Sequence, residues 1–259
     1  MRTAVLVVLL GVSAAGCGSS PVRRAAPPRQ HAARHHPIVH NGHGRDVPVP
    51  ILEYHVIGDP APGAHLTGLY LSVADFRSQL DWLARHGYRA VTLDQVWRAW
   101  TGDGALPTKP VALTFDDGYP PDVTVVRPLL LAHHWPGNLN LHIGNLVPAR
   151  VRELIRAGWE VDAHTFEHRD LTTETTAELA HDVGGSGAWI RAVFHVPADF
   201  FCYPAGRFDT RVIAAVKQGG FNGAEAETRK TAVYTDRWAL GRFEILRGTS
   251  ASALAALLH

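Results

Sequence analysis

Short apolar segments alternate with amphipathic segments seven or eight times between residues 47 and 259. The apolar segments are the candidate strands, at 51–56, 88–92, 111–115, 139–143, 160–163, 200–203, 221–224 and 242–246. Strands separated by helices predict parallel pairing through right-handed crossovers. A closed α/β barrel and an open doubly wound sheet both satisfy this pattern. In either fold, functional side chains collect beyond the carboxyl ends of the strands.

The amphipathic segments have recognisable helix ends. Ser72 can cap a helix that stops before Gly87, and Asp209 can cap another that stops before Gly219. Residues 173–195 contain three glycines, each of which costs a helix about 1 kcal/mol relative to alanine. We therefore expect a kink or two shorter helices in that segment.

The first residues are typical of an export signal. Arg2 precedes a short apolar run, and small residues follow up to Cys17. The run is too short to span a bilayer. Ala-Ala-Gly-Cys resembles the lipobox of bacterial lipoproteins, although Ala14 stands where leucine is usual. We expect a signal peptide at 1–16 and a lipid on Cys17 that anchors the protein at the outer face of the bacterial cell membrane. The alternative is an ordinary signal peptide with an incidental cysteine.

Residues 17–46 have the composition of a disordered tether that begins at the lipidated cysteine. Ser, Pro, Ala and Gly dominate, and no apolar periodicity is present. The formal net charge of the chain is +1, and this segment holds five arginines and Asp46. Together with Arg2 they leave residues 47–259 with a net charge of about −4, which argues against a nucleic-acid-binding domain. The tether also carries five histidines, which either bind metal or are simply solvated.

Two adjacent carboxylates follow the apolar strand 111–115. Burying Asp116 and Asp117 together is costly unless a cation lies between them, and a metal ion meets that need. One carboxylate could then bind the ion while the other acts as a base. The alternative is a turn, because Asp-Gly pairs are common turn formers.

A second polar group follows the strand 160–163. His164 and His168 are four residues apart and can converge on one ion, through a helical turn or a tight loop. Two histidines and one carboxylate leave a tetrahedral ion one open position for water. A third group, Tyr203 and Pro204, again stands at a strand end, and Gly206 after it permits close approach of a ligand.

In this order, TFDDG (114–118), HTxxH (164–168) and FxYPxG (201–206) resemble three motifs of the polysaccharide deacetylases, carbohydrate esterase family 4, also called the NodB-homology domain. PILEYH (50–55) resembles the opening strand of the branch that acts on poly-N-acetylglucosamine-type substrates. The similarity covers about residues 48–250. It implies a single-domain α/β fold, an irregular (β/α)7-type barrel at 47–259.

The resemblance also implies roles for individual residues. Asp117, His164 and His168 match the ligands of one divalent metal ion, most often zinc, and Asp116 matches the catalytic base. Tyr203 matches the residue whose backbone N–H helps to hold the oxyanion, with Pro204 in the same turn.

Two departures from the family pattern affect the site. Many members carry an arginine where this chain has Cys202, and many end with a Leu-x-His motif that supplies the general acid. Residues 242–247 contain no histidine. His55 is the candidate acid instead, as in the branch with an N-terminal Tyr-His; otherwise it is a buried structural histidine. Arg242 is placed with the substrate-site residues because it could orient Asp116, unless it is purely structural.

These assignments predict a hydrolase that releases acetate from N-acetyl groups of a cell-envelope polysaccharide. One alternative is an O-acetyl esterase, whose better leaving group tolerates the missing Leu-x-His histidine. Another is a non-catalytic wall-binding lipoprotein, although pure binding would not need Asp116. The last is metal capture by the histidine-rich tether.

Overall fold

The structure, a computed structural model, describes Gly44 and residues 47–258. The predicted signal peptide, Cys17 and the tether, apart from Gly44, lie outside the described residues. Within the described part of the chain, no helix has the length and apolar character that crossing a membrane requires.

Parallel strands form the main sheet, as the alternating pattern predicts. The strands are β1 (Ile51–Tyr54), β2 (Val56–Ile57), β3 (Tyr70–Leu71), β4 (Arg89–Val91), β5 (Pro110–Asp116), β6 (Asn138–Leu141), β7 (Glu160–Ala163), β8 (Phe200–Cys202), β9 (Gly223–Ala226), β10 (Leu240–Gly241) and β11 (Phe243–Glu244). Eight of them lie side by side in the order β10-β9-β8-β7-β6-β5-β1-β11, and β4 also pairs with β5. Strands β2 and β3 pair separately.

The row of strands curves into a nearly closed barrel. Its two ends, β10 and β11, are consecutive in the chain and are separated only by Arg242. The Arg242 N–H donates to the carbonyl of Ala226 (3.0 Å) at the end of β9, and the Ile245 N–H donates to the carbonyl of Glu53 (2.9 Å) in β1. Residues 240–245 therefore join both ends of the sheet. The barrel implied by the family resemblance is confirmed, and the open doubly wound sheet is excluded.

The helices are α1 (Val73–Arg85), α2 (Leu93–Thr101), α3 (Arg127–Ala132), α4 (Pro148–Arg156), α5 (Thr176–Leu179), α6 (Ser186–Phe194), α7 (Thr210–Gln218) and α8 (Ala251–Leu257). The two predicted caps are confirmed: Ser72 accepts from the N–H of Asp75, and Asp209 accepts from two N–H groups of α7. Cap hydrogen bonds of this kind satisfy N–H groups that have no partner inside the helix.

The glycine-rich segment is interrupted, as expected. A π-helical turn, Ala180–Gly185, separates α5 from α6. Gly187 lies in α6 against the ring of Phe221, where an added Cβ would come within 2.5 Å of the ring. This glycine therefore permits close packing of α6 on the barrel, and its helix-weakening effect is offset by that contact.

Candidate active site

Polar side chains collect at the carboxyl ends of the barrel strands. His55 follows β1, Asp117 follows β5, His142 follows β6, His164 follows β7 and Ala205 lies just beyond β8. All five line one cleft of about 400 Å³. Because parallel strands end at the same rim, motifs far apart in sequence are brought together here.

Asp117, His164 and His168 form a cluster with the dimensions of a metal site. Asp117 Oδ1 lies 3.6 Å from His164 Nε2 and 3.5 Å from His168 Nε2, and the two Nε2 atoms are 3.0 Å apart. Ligand atoms about 2.1 Å from a tetrahedral zinc ion lie about 3.4 Å from one another, so the three atoms fit one such ion. Asp117 Oδ1 is buried without a hydrogen-bond partner among the described residues. A cation would satisfy it.

A tight loop, and not a helix, brings the two histidines together. Thr165 (φ 67°) and His168 (φ 53°) adopt left-handed backbone conformations, which non-glycine residues rarely take. The hydroxyl of Thr165 accepts from the N–H of His168 at 2.8 Å. We call residues 164–168 the histidine loop.

The surroundings of His164 keep its Nε2 available as a ligand. Its Nδ1 lies 2.9 Å from the carbonyl oxygen of Cys202, so Nδ1 carries the proton and donates there. Burial lowers the pKa of His164 to about 4 and outweighs the opposing effect of Asp116 and Asp117. The imidazole is therefore neutral near pH 7, as metal binding requires.

Asp116 is buried but remains ionised. Burial alone would raise its pKa, yet the guanidinium of Arg242, with His164 and His55, holds the pKa well below its usual value. Arg242 Nη1 and Asn140 Nδ2 each donate to Asp116 Oδ1 at 2.9 Å, and Cys202 Sγ donates to Oδ2 at 3.5 Å. Burial raises the pKa of the Cys202 thiol, which stays protonated as that donor.

Arg242 is shared by three buried carboxylates. Besides Asp116, it lies 3.2 Å from Glu53 Oε2 and 3.8 Å from Glu225 Oε2. Burial raises the pKa of Glu53 well above its ordinary value and that of Glu225 to about 8. Glu225 is therefore mostly protonated near neutrality, burial favours the protonated form of Glu53 as well, and the guanidinium balances Asp116. The Arg242 side chain is fully buried and makes the contact with Asp116 that is expected of a residue orienting this carboxylate, so its place in the substrate site is through Asp116 and not through the open cleft.

His55 lies beside Asp116 at the cleft wall. Its side chain is 11% exposed, and its Nε2 is 3.9 Å from Glu53 Oε1. One ring nitrogen of His55 and one carboxylate oxygen each of Glu53 and Asp116 lie within 4.8 Å of one another. His55 is thus within reach of a group bound between Asp116 and the metal cluster.

Residues 103–224 match a family model described as polysaccharide deacetylase. Over this stretch, 122 of its 259 residues, the chain is similar to the polysaccharide deacetylase family. The resemblance read from the motifs, and the enzyme class that it implies, are confirmed.

Individual relatives agree with this similarity. The Bacillus subtilis (strain 168) protein YxkH is 24% identical over 218 residues, which are 82% of this chain and 76% of that protein. The Escherichia coli (strain K12) poly-beta-1,6-N-acetyl-D-glucosamine N-deacetylase is 32% identical over 146 residues, 54% of this chain but only 21% of that protein. The Streptococcus pyogenes deacetylase PplD, solved with acetate, shares the fold with a TM-score of 0.76 at 22% identity, over 82% of this chain and 99% of that chain.

One role transferred from the polysaccharide deacetylase motifs is contradicted by the geometry. The Tyr203 N–H donates to the carbonyl of Glu225 (3.1 Å), and the Tyr203 hydroxyl donates to the carbonyl of Trp238 (2.9 Å). Tyr203 and Pro204 are buried, so neither faces the cleft. The residue of this turn that lines the cleft is Ala205, in a left-handed conformation (φ 51°).

Sequence reasoning also missed several residues of the deacetylase cleft. These additional lining residues are Leu66, Leu69, Tyr119, His142, Asn145, Glu227 and Glu244. Tyr119 directly follows the aspartate motif, and His142 directly follows a strand, so position at a strand end was a usable signal for both. Glu227 directly follows β9 and Glu244 ends β11, so the same signal applied to them. Leu66, Leu69 and Asn145 lie in connections whose course the sequence pattern does not determine.

Proposed function

We propose that this chain hydrolyses N-acetyl groups on an N-acetylglucosamine-containing polymer of the cell envelope, with one divalent ion, zinc in the first instance. The proposal rests on the different environments of two adjacent aspartates. Asp117 points into the cluster with His164 and His168, while Asp116 is held ionised by Arg242. Asp116 is therefore the aspartate that can accept a proton from the attacking water.

A divalent ion held by Asp117, His164 and His168 would supply the acidity that makes a water molecule nucleophilic at neutral pH. Asp116 removes a proton from that water as its oxygen attacks the acetamide carbonyl carbon. His55 gives a proton to the sugar nitrogen as the carbon–nitrogen bond breaks, so an amine and acetate leave. Ala205, which lines the cleft, replaces Tyr203 as our candidate backbone donor to the oxyanion.

The membrane location is a separate proposal. The small residues before Cys17 and the composition of the tether support a lipid-anchored protein whose catalytic domain works outside the cell. A tether of that kind would keep the domain close to envelope polymers.

Acetate release from a panel of polymers tests the proposed activity. The zinc-loaded protein is assayed on poly-β-1,6-N-acetylglucosamine, peptidoglycan, chitin oligomers and an O-acetylated glycan. We expect release from at least one N-acetylated polymer, and Asp116→Asn should lose at least about 100-fold in turnover while retaining zinc. Release from the O-acetylated glycan alone would identify an esterase. Polymer binding without release would identify a binding protein.

A further inference from the structure

The loop after β6, Ile143–Asn145 with His142 before it, lies directly against the histidine loop. We propose that His142 is a positioning residue that determines how tightly Asp117, His164 and His168 hold their ion. The inference rests on the proposed function of that cluster as a metal site. No family motif quoted above includes His142.

Two backbone hydrogen bonds connect the loops. The N–H of Ile143 donates to the carbonyl of Thr165 at 3.1 Å, and the N–H of Gly144 donates to the carbonyl of Phe166 at 3.2 Å. Both carbonyls belong to the turn between the two metal-binding histidines. That turn contains left-handed residues, each costing about 1 kcal/mol or more, so it persists only where neighbouring contacts hold it.

The His142 side chain adds a third connection. Its ring lies beside the backbone of Phe166, and its centroid lies 5.4 Å from that of His168. The ring folds over Gly144, where an added Cβ would lie 2.6 Å from His142 Nε2 and 3.2 Å from the Phe166 carbonyl oxygen. A residue larger than glycine at position 144 would therefore displace the imidazole.

His142 acts through His168 and not as a ligand. The possible metal-ligand atoms of Asp117, His164 and His168 lie within 4.8 Å of one another. Within the described residues, His142 belongs to no group of side chains that could hold a metal ion in this way. The His142 ring instead packs beside the His168 ring and restrains the carbonyl group of Phe166. It thereby limits the orientations that His168 can take.

The side chain of Phe166 is held independently on its other face. Its ring stacks on His181 with centroids 4.6 Å apart and planes 9° apart. Contacts to His181 thus support the loop through a side chain, whereas His142 acts on the backbone and on His168. The two histidines make separable contributions.

Zinc affinity of the full-length protein, measured by competition with a chromophoric chelator, tests the proposal. Loss of a side chain that orients a ligand typically weakens metal binding by about 10- to 100-fold, and we expect this range for His142→Ala. The amide of His142→Gln can donate to the Phe166 carbonyl, so this variant should recover most of the zinc affinity. Gly144→Ala should weaken binding in the same direction, because it displaces the ring and leaves His142 in place.

His133→Ala is the matched control. His133 is also a partly buried imidazole stacked on an aromatic ring, that of Trp135 at 4.9 Å, but it lies outside the cleft lining. Its zinc affinity should equal that of the wild type. Cobalt-substituted His142→Ala should show an altered visible absorption band, a readout that does not depend on turnover.

The outcomes separate this inference from the proposed function. Zinc binding by the wild type with unchanged affinity in His142→Ala overturns only the role of His142. Unchanged affinity with a raised KM would make His142 a substrate contact instead. Equal losses in His133→Ala would show a general loss of stability. A wild type that binds no zinc overturns the metal site and this inference together.

Discussion

Three buried carboxylates share the guanidinium of Arg242, and within the described residues no other arginine or lysine pairs with them. Asp116 makes the 2.9 Å contact with Arg242 and stays charged, Glu225 is mostly protonated at neutral pH, and burial favours the protonated form of Glu53. A second charged carboxylate in this interior would have no cation to balance it. The polar interior of the barrel is therefore sensitive to high pH.

Replacing Glu225 tests this interpretation. Its pKa in the folded protein is about 8, above its ordinary value of 4.5, so the folded state holds this proton more tightly than the unfolded state. Through this group, the free energy of unfolding falls as pH rises from about 4.5 to about 8. Glu225→Gln cannot ionise, so urea denaturation should show a smaller loss of stability between pH 5 and pH 8 than in the wild type. Glu167→Gln, at an exposed position, is the control and should keep the wild-type slope.

His55 can be tested with two substrates. An amide needs a protonated leaving group, whereas an activated acetate ester does not. His55→Ala should therefore reduce N-deacetylation by about 10²- to 10⁴-fold and reduce ester hydrolysis far less. Metal content should not change, because His55 lies outside the Asp117–His164–His168 cluster. Equal losses on both substrates would indicate a structural histidine, and loss of metal would indicate a ligand.

Local patterns predicted the elements well, and contacts between distant elements account for what was missed. The eight predicted strands and the two helix caps depend on nearby residues, and the structure contains all of them. The hydrogen bond that occupies the Tyr203 N–H comes from pairing with β9, which the motif itself does not encode. Arg242 meets Asp116 across 126 positions, so sequence could suggest the partnership but not its burial.

Two glycine-to-alanine substitutions in the helical segment after β7 should change the free energy of unfolding in opposite directions. Gly184→Ala places a Cβ 3.6 Å from Gly219, an ordinary contact, and should stabilise the protein by up to about 1 kcal/mol. Gly187→Ala places its Cβ against Phe221 and should destabilise by about 1–3 kcal/mol, since overpacking exceeds the helix-propensity gain. Thermal or urea unfolding measures both. The same sign for both variants would contradict the packing argument.

The proposed lipid anchor concerns the molecule as a whole. If Cys17 carries a lipid, the mature protein should partition into the detergent phase on Triton X-114 extraction. Cys17→Ser should move it to the aqueous phase without changing the specific activity of the domain. Cys202→Ser is the cysteine control and should stay with the detergent, because that thiol is buried in the barrel. Wild-type protein in the aqueous phase would refute lipidation.

Residues 240–245, which close the barrel, also link the ionisation of Asp116 to the order in which the chain is synthesised. Asp117, His164 and His168 leave the ribosome well before Arg242 does. Until residues 240–245 pair on both sides, Asp116 has no guanidinium beside it, and its burial favours the protonated acid. If Asp116 is the base, as we propose, it acquires the guanidinium that keeps it ionised only when residues 240–245 close the barrel. We therefore expect hydrolysis from the complete barrel alone.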